Sequence, residues 1–179
     1  MSYNFFLRKL VHLLYGSSLA ILSYLNEDLR LLSIVITSIL LLLYLAYTFT
    51  KLRWRSVEKY LQLLSRERID IKAICYACGI IFSLLLFEGE IMLSSILILS
   101  FSDSLTAIFG KWLLNSEHKS ISGSIIHFAS DFIILINFFP IHLTLITSLV
   151  AATLDYVTDK FENLIIPIFI GAFLTFVTG

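Results

Sequence analysis

Apolar runs follow one another from Leu10 to Val177 with only brief polar breaks, so the chain has almost no sequence from which to build a hydrated exterior. A helix in a water-soluble domain keeps one polar face, whereas segments that are apolar all round belong in a large core or in lipid. A chain of 179 residues is too short to bury seven such segments in a core of its own, and 58% hydrophobic against 15% charged residues assigns it to the membrane class. A removable leader would be one short apolar run ahead of a polar chain. Here the runs continue, so the first segment is expected to be retained. The formal net charge of zero argues against a general nucleic-acid partner.

Measured against the roughly 20 residues that cross a ~30 Å hydrocarbon layer, about seven spans are expected. They run from Leu10 to Leu25, Leu29 to Thr50, Ile71 to Phe87, Ile91 to Leu114, Ile125 to Phe139, Ile141 to Val157 and Leu164 to Val177. The first, fifth and sixth are short and require tilt, shelter by neighbours or extension at their polar ends. No internal repeat and no Gly-, Ser- or Pro-rich linker interrupts the series, so residues 1–179 are expected to form one all-α integral membrane domain.

Short loops that retain Lys and Arg mark the cytoplasmic side. Threading seven spans from a cytoplasmic N-terminus places all of the 13 Lys and Arg except Arg30 on that side. Glu27, Asp28, Glu88 and Glu90 fall on the other. The stretch from Lys51 to Lys72 reads as a basic amphipathic helix on the membrane surface, either a topology signal and anchor or an attractor for an anionic nucleotide.

Polar groups inside the spans carry the functional information, because an ionised side chain in hydrocarbon is costly unless it meets a partner or water. Asp103 lies eight residues before Lys111, hence about 12 Å deep, among Ser102, Ser104 and Thr106, with Gly110 two turns on. It reads as a metal or proton group, or as an acid hydrogen-bonded to neighbouring helices. The run from His118 to Ser124 contains Lys119, Ser120, Gly123 and Ser124 at the entry to the fifth span. It suits either a phosphate cradle of backbone N–H groups, hydroxyls and an ammonium, or a plain N-cap from Ser122 or Ser124. Asp155, Glu162 and Asn163 gather oxygen donors of the kind magnesium favours, or form a solvated loop. Lys9 and His12 share a helix face behind Arg8. His127 and Asp131, four residues apart, are equally readable as a buried hydrogen-bonded pair or as cavity lining. Cys75 and Cys78 stand a turn apart without the second pair that a zinc site needs.

In chain order these clusters resemble the dolichol kinase and phytol kinase family of integral membrane lipid kinases, several members of which use CTP. The resemblance covers most of the chain. The family's Arg-Lys-x-x-His start is matched by Arg8, Lys9 and His12, and its Gly-Asp-x-x-Ala stretch with a following Gly by Asp103, Ala107 and Gly110. Its Lys-Lys-Ser/Thr-x-Glu-Gly-Ser element is matched by Lys119, Ser120, Gly123 and Ser124, and its late acidic, Asp-Asn and Pro positions by Asp155, Glu162, Asn163 and Pro167. The chain departs from the pattern at Ser102 in place of Gly, His118 in place of the first Lys and Ser122 in place of Glu, and it exchanges acid types at Asp155 and Glu162.

The resemblance implies transfer of the γ-phosphoryl group of CTP to the hydroxyl of a polyisoprenoid alcohol, with magnesium, at a site facing the cytoplasm. It implies Asp103 and Lys119 as catalytic residues and Asp103, Asp155, Glu162 and Asn163 as metal ligands. Arg8, Lys9, His12, Lys119, Ser120, Gly123 and Ser124 are implied to hold the nucleotide phosphates. Diacylglycerol, phytol or geranylgeraniol are alternative acceptors. A lipid transporter or flippase is the alternative of another class, for which an internal inverted repeat is commonly expected. A CDP-lipid synthase would instead carry an acidic signature near the C-terminus, which is not found.

Overall fold

The computed structural model describes residues 3–49, 69–114 and 120–179. Within them the chain is all helical: α1 (Tyr3–Leu25), α2 (Glu27–Phe49), α3 (Ile71–Leu86), α4 (Gly89–Leu97), a π-helical turn (Ile98–Ser102), α5 (Asp103–Leu114), α6 (Ile121–Leu135), α7 (Ile141–Val157) and α8 (Glu162–Thr178). Segment α4, the π turn and α5 follow without a break, so seven rods are present among the described residues. By length and composition, three stretches are able to cross a membrane, Asn4–Leu25, Glu27–Phe49 and Gly89–Trp112. Helices α3, α6, α7 and α8 are apolar but shorter. Most of the stretch expected as a basic surface helix, Lys51 to Lys72, lies outside the described residues.

Local chemistry sets the boundaries. Asn26 Oδ1 accepts from the backbone N–H of Asp28 at 2.7 Å and of Leu29 at 3.4 Å, which satisfies donors that the first turn of α2 leaves open. Asp70 caps α3 by accepting from Ala73 N–H at 3.2 Å. Pro140 precedes α7, a place where a missing N–H costs no intrahelical bond. Two helices differ from the sequence reading: the first begins at Tyr3 rather than Leu10, where Lys9 turns inward to a partner, and α6 runs over Ile121–Leu135 rather than from Ile125 to Phe139.

The interior and exterior exchange their usual compositions. Large apolar side chains such as Leu31, Val35, Ile39, Leu42 and Leu43 cover the outer face of α2, while Ser83, Ser94, Ser95, Ser100, Thr144, Thr147 and Ser148 are buried between helices. Small hydroxyl residues at helix contacts let backbones approach closely, and several bond the carbonyl four residues back, as Ser95 does to Ile91 and Thr37 to Ser33. Two apolar clusters flank the α4–α5 rod. Leu19, Ile80, Leu84, Met92 and Ile96 join α1, α3 and α4, and Ile98, Leu135, Ala151, Ile170 and Leu174 join the π turn to α6, α7 and α8.

Charge separates to the two ends of this bundle. Lys72 at the start of α3 reaches Asp159 and Glu162 at the start of α8. Lys111 near the end of α5 lies over the Phe5 ring of α1, 4.5 Å from its centroid, which places the entry of α1 beside the exit of α5. Glu27, Glu88 and Arg30 occupy the opposite end. Arg30 is bound there by structure: its Nε donates to Leu84 O at 2.8 Å and its Nη2 to Phe87 O at 2.9 Å, closing carbonyls at the end of α3.

Helices α3 and α8 meet at Gly79, where a β-carbon would run into the backbone oxygen of Asn163 and press on Leu99 and Pro167. A backbone atom cannot rotate away, so Gly79→Ala must separate the helices. We expect this variant to lose about 1–3 kcal/mol of stability, read as a lowered thermal midpoint in detergent, whereas Gly110→Ala, which meets nothing within 4 Å inside α5, should not lower it.

Candidate functional site

Inside the charged end, Lys9 of α1 and Asp103 of α5 form a buried ion pair with Nζ 2.6 Å from Oδ2, their side chains 7% and 16% exposed. The local fold brings them together. Asp103 is the first residue after the π-helical turn, and such a turn inserts an extra residue into one helical repeat, rotating the following side chains relative to a regular helix. Close approach of α1 depends on Gly16, because a β-carbon there would collide with the hydroxyls of Ser100 in the π turn and Tyr76 in α3.

His12 lies one turn beyond Lys9. Its ring stacks on Tyr76 with centroids 4.3 Å apart and planes 12° from parallel, and the Tyr76 hydroxyl donates to the His12 carbonyl and lies 3.1 Å from Ser100 Oγ. The ring is thereby fixed while its Nδ1 is buried without a hydrogen-bond partner. Across from α1, His127 and Asp131 of α6 are both fully buried, with Nδ1 2.7 Å from Oδ2. His127 Nε2, Ser104 Oγ and Thr106 Oγ1 are likewise buried with no partner. Asp103 stands within electrostatic reach of both His12 and His127, and Asp155 of α7 within reach of His127 and Asp131. Four helices therefore direct Lys9, His12, Asp103, His127, Asp131 and Asp155 toward one region.

The expected phosphate cradle is described only in part. Lys119 and His118 lie outside the described residues. Ser120, rather than Ser122 or Ser124, is the N-cap of α6, its Oγ accepting from Gly123 N–H at 3.1 Å, and Ser124 Oγ lies 3.4 Å from Ser120 O. A β-carbon at Gly123 would stand 3.6 Å from Thr106 of α5, so the start of α6 rests one turn from Asp103. Arg8 shares the Phe5 ring with Lys111, its guanidinium carbon 5.7 Å from the centroid. Arg8, Lys9 and Lys111 thus converge at the α1–α5 mouth. Lys111 was not among the residues singled out for phosphate, since a lone Lys at a helix end reads as a topology charge.

The remaining acidic candidates divide between two places. Asp155 faces the His127 side. Glu162 pairs instead with Lys72 at 2.8 Å, and Asn163 Nδ2 donates to the Lys72 carbonyl at 3.1 Å, so both clasp α3 to α8. Among the described residues no group of three or more His, Cys, Asp or Glu is placed to hold a metal ion. Asp103, Asp155, Glu162 and Asn163 accordingly do not make a ready cage. Cys75 and Cys78 are free thiols.

Two buried ion pairs or dyads, orphaned imidazole nitrogens and paired cations at the mouth are chemically suited to a polyanion meeting a proton-bearing group away from bulk water. Comparison of the chain with family models, curated proteins and solved structures returned no match.

Removing one partner of a buried pair strands the other charge, at about 3–5 kcal/mol. Lys9→Met and Asp103→Asn are therefore each expected to lower the thermal midpoint, and the double variant to recover much of the loss. Additive effects in this double-mutant cycle would show that the two charges are not coupled.

Proposed function

We propose that the protein is an integral membrane lipid kinase that transfers the γ-phosphoryl group of a nucleoside triphosphate, CTP by the family resemblance, to the hydroxyl of a polyisoprenoid alcohol. In this reading about seven segments cross the membrane with the N-terminus and the charged end in the cytoplasm. The single observation that carries it is the buried Lys9–Asp103 pair beneath a mouth bearing Arg8 and Lys111. An acid and an ammonium at the depth of the acyl chains, below cations at the aqueous rim, suit a reaction between a water-soluble polyanion and a lipid headgroup.

Phosphoryl transfer needs mainly positioning and neutralisation of developing charge. Arg8 and Lys111 meet the triphosphate first, and Lys9, the next residue on α1 and turned toward Asp103, lies further in. The first turn of α6 from Ser120 to Ser124 offers hydroxyls and backbone N–H groups to the phosphates, and Lys119 is assigned to them by its place in the sequence motif. His12, held by its stack on Tyr76, offers its unpartnered Nδ1 to a phosphate oxygen as a donor. Magnesium demands few protein ligands when phosphates supply others. Asp103, with Lys9 engaging one carboxylate oxygen, fits such a role, and the ion would supply charge neutralisation on the triphosphate. The acceptor's hydrocarbon tail needs only lipid-facing apolar surface, which α2 and its neighbours present in abundance.

The test is incubation of the purified protein with magnesium, γ-labelled CTP or ATP and a panel of dolichol, polyprenol, phytol, geranylgeraniol and diacylglycerol. Label should appear in a lipid monophosphate, with CTP and a long prenol giving the highest turnover. Asp103→Asn should abolish transfer, measured on the fraction of protein that its thermal midpoint shows to be folded. Absence of labelled lipid with every acceptor would discard the kinase and favour a transporter, which consumes no nucleotide.

A further inference from the structure

The Lys9 contact leaves the proton of the acceptor alcohol without an acceptor. Asp103 shares one oxygen with an ammonium at 2.6 Å, and a carboxylate so engaged is a weak base. A second buried pair stands across the bundle. His127 Nδ1 and Asp131 Oδ2 are 2.7 Å apart, four residues apart on α6, and both residues are at most 1% exposed. With Asp131 ionised and the imidazole neutral, the Nδ1 proton bonds to the carboxylate, which orients the ring and leaves a lone pair on Nε2. That nitrogen is buried and has no partner. An imidazole oriented by a carboxylate on one nitrogen and open on the other is the arrangement of a general base.

Its placement agrees. His127 is six residues into α6, about 9 Å from the helix start at 1.5 Å per residue, and Asp103 is within its electrostatic reach. The charged groups facing the dyad are Asp103 from α5 and Asp155 from α7, while Lys9 and His12 of α1 face Asp103.

We propose that His127, held by Asp131, is the base that takes the proton of the lipid alcohol during phosphoryl transfer; this rests on the kinase reading above. In the step, the alcohol oxygen forms its bond to the γ-phosphorus as the bond from that phosphorus to the bridging oxygen breaks. The nucleoside diphosphate leaves with the electron pair, and the hydroxyl proton passes to His127 Nε2. Asp131 stabilises the resulting imidazolium and does not itself take the proton. Release of that proton to the nucleotide side resets the site.

The experiment measures steady-state transfer by the full-length protein and by His127→Gln, His127→Ala and Asp131→Asn, with γ-labelled CTP and the best acceptor of the panel. We expect kcat to fall about 10²- to 10⁴-fold in the His127 variants, with KM for the nucleotide within about two-fold and part of the His127→Ala loss restored by added imidazole. Asp131→Asn should lower kcat with the same KM pattern. His127→Gln retains a hydrogen-bonding partner for Asp131, so it reports on the base even if His127→Ala does not fold. Turnover within a few-fold of the parent in His127→Gln would overturn the proposal. So would a loss carried by a raised KM without imidazole rescue, which marks a structural role. An inactive parent protein rejects the kinase reading itself, whereas an active parent with active His127 variants rejects only the base.

Discussion

A charge pair placed among apolar helices has to be satisfied by geometry, because close-packed side chains offer little water to solvate what is left over. The contact between Lys9 and Asp103 imposes that demand on the whole charged end of the bundle. It draws α1 inward past the point where its apolar run begins and ties it to the segment following the π turn. Gly16 permits the approach by offering no side chain toward Ser100 and Tyr76. Tyr76 in turn holds His12, so one ion pair, one missing β-carbon and one ring stack orient the entry of the chain.

The opposite end relies on backbone rather than side-chain acids. Arg30, the cation excluded from the charged end, spends its donors on carbonyls of α3, with Glu27 and Glu88 at the looser distances of 3.9 and 3.8 Å. Exposed acids with one such partner contribute little stability. The asymmetry between the ends is therefore one of burial as well as of sign. Cations at one end reach inward to acids, and at the other they cap a helix.

Much of the architecture was legible in the chain itself. Run length gave each helix, and Asn26, Asp70, Pro140 and the turn at Ser120 mark starts by chemistry that acts within three or four residues. The cap of α6 was placed at Ser122 or Ser124 because three serines compete there within five residues, and only the helix register decides among them. The start of α1 was misjudged for a related reason. A Lys beside an Arg ordinarily marks the aqueous edge, and nothing adjacent to Lys9 reveals an acid 94 positions away. Glu162 and Asn163 bond Lys72, a partner 90 and 91 positions away that no local pattern reveals.

His127 and Asp131 show where the boundary lies. Their four-residue spacing fixes only a shared face in advance, because an α-helix puts those positions side by side whatever surrounds it. Whether that face met lipid, a packed core or the acids of α5 and α7 depended on rotation of α6 about its axis, which spacing does not encode. The sequence by itself determined helices, their caps, and the segregation of basic from acidic ends, since these follow from local hydrogen bonding and hydropathy. Only the tertiary structure decided which buried charge meets which, because such partners are chosen by helix rotation and approach distance, quantities set by steric contacts between residues far apart in the chain.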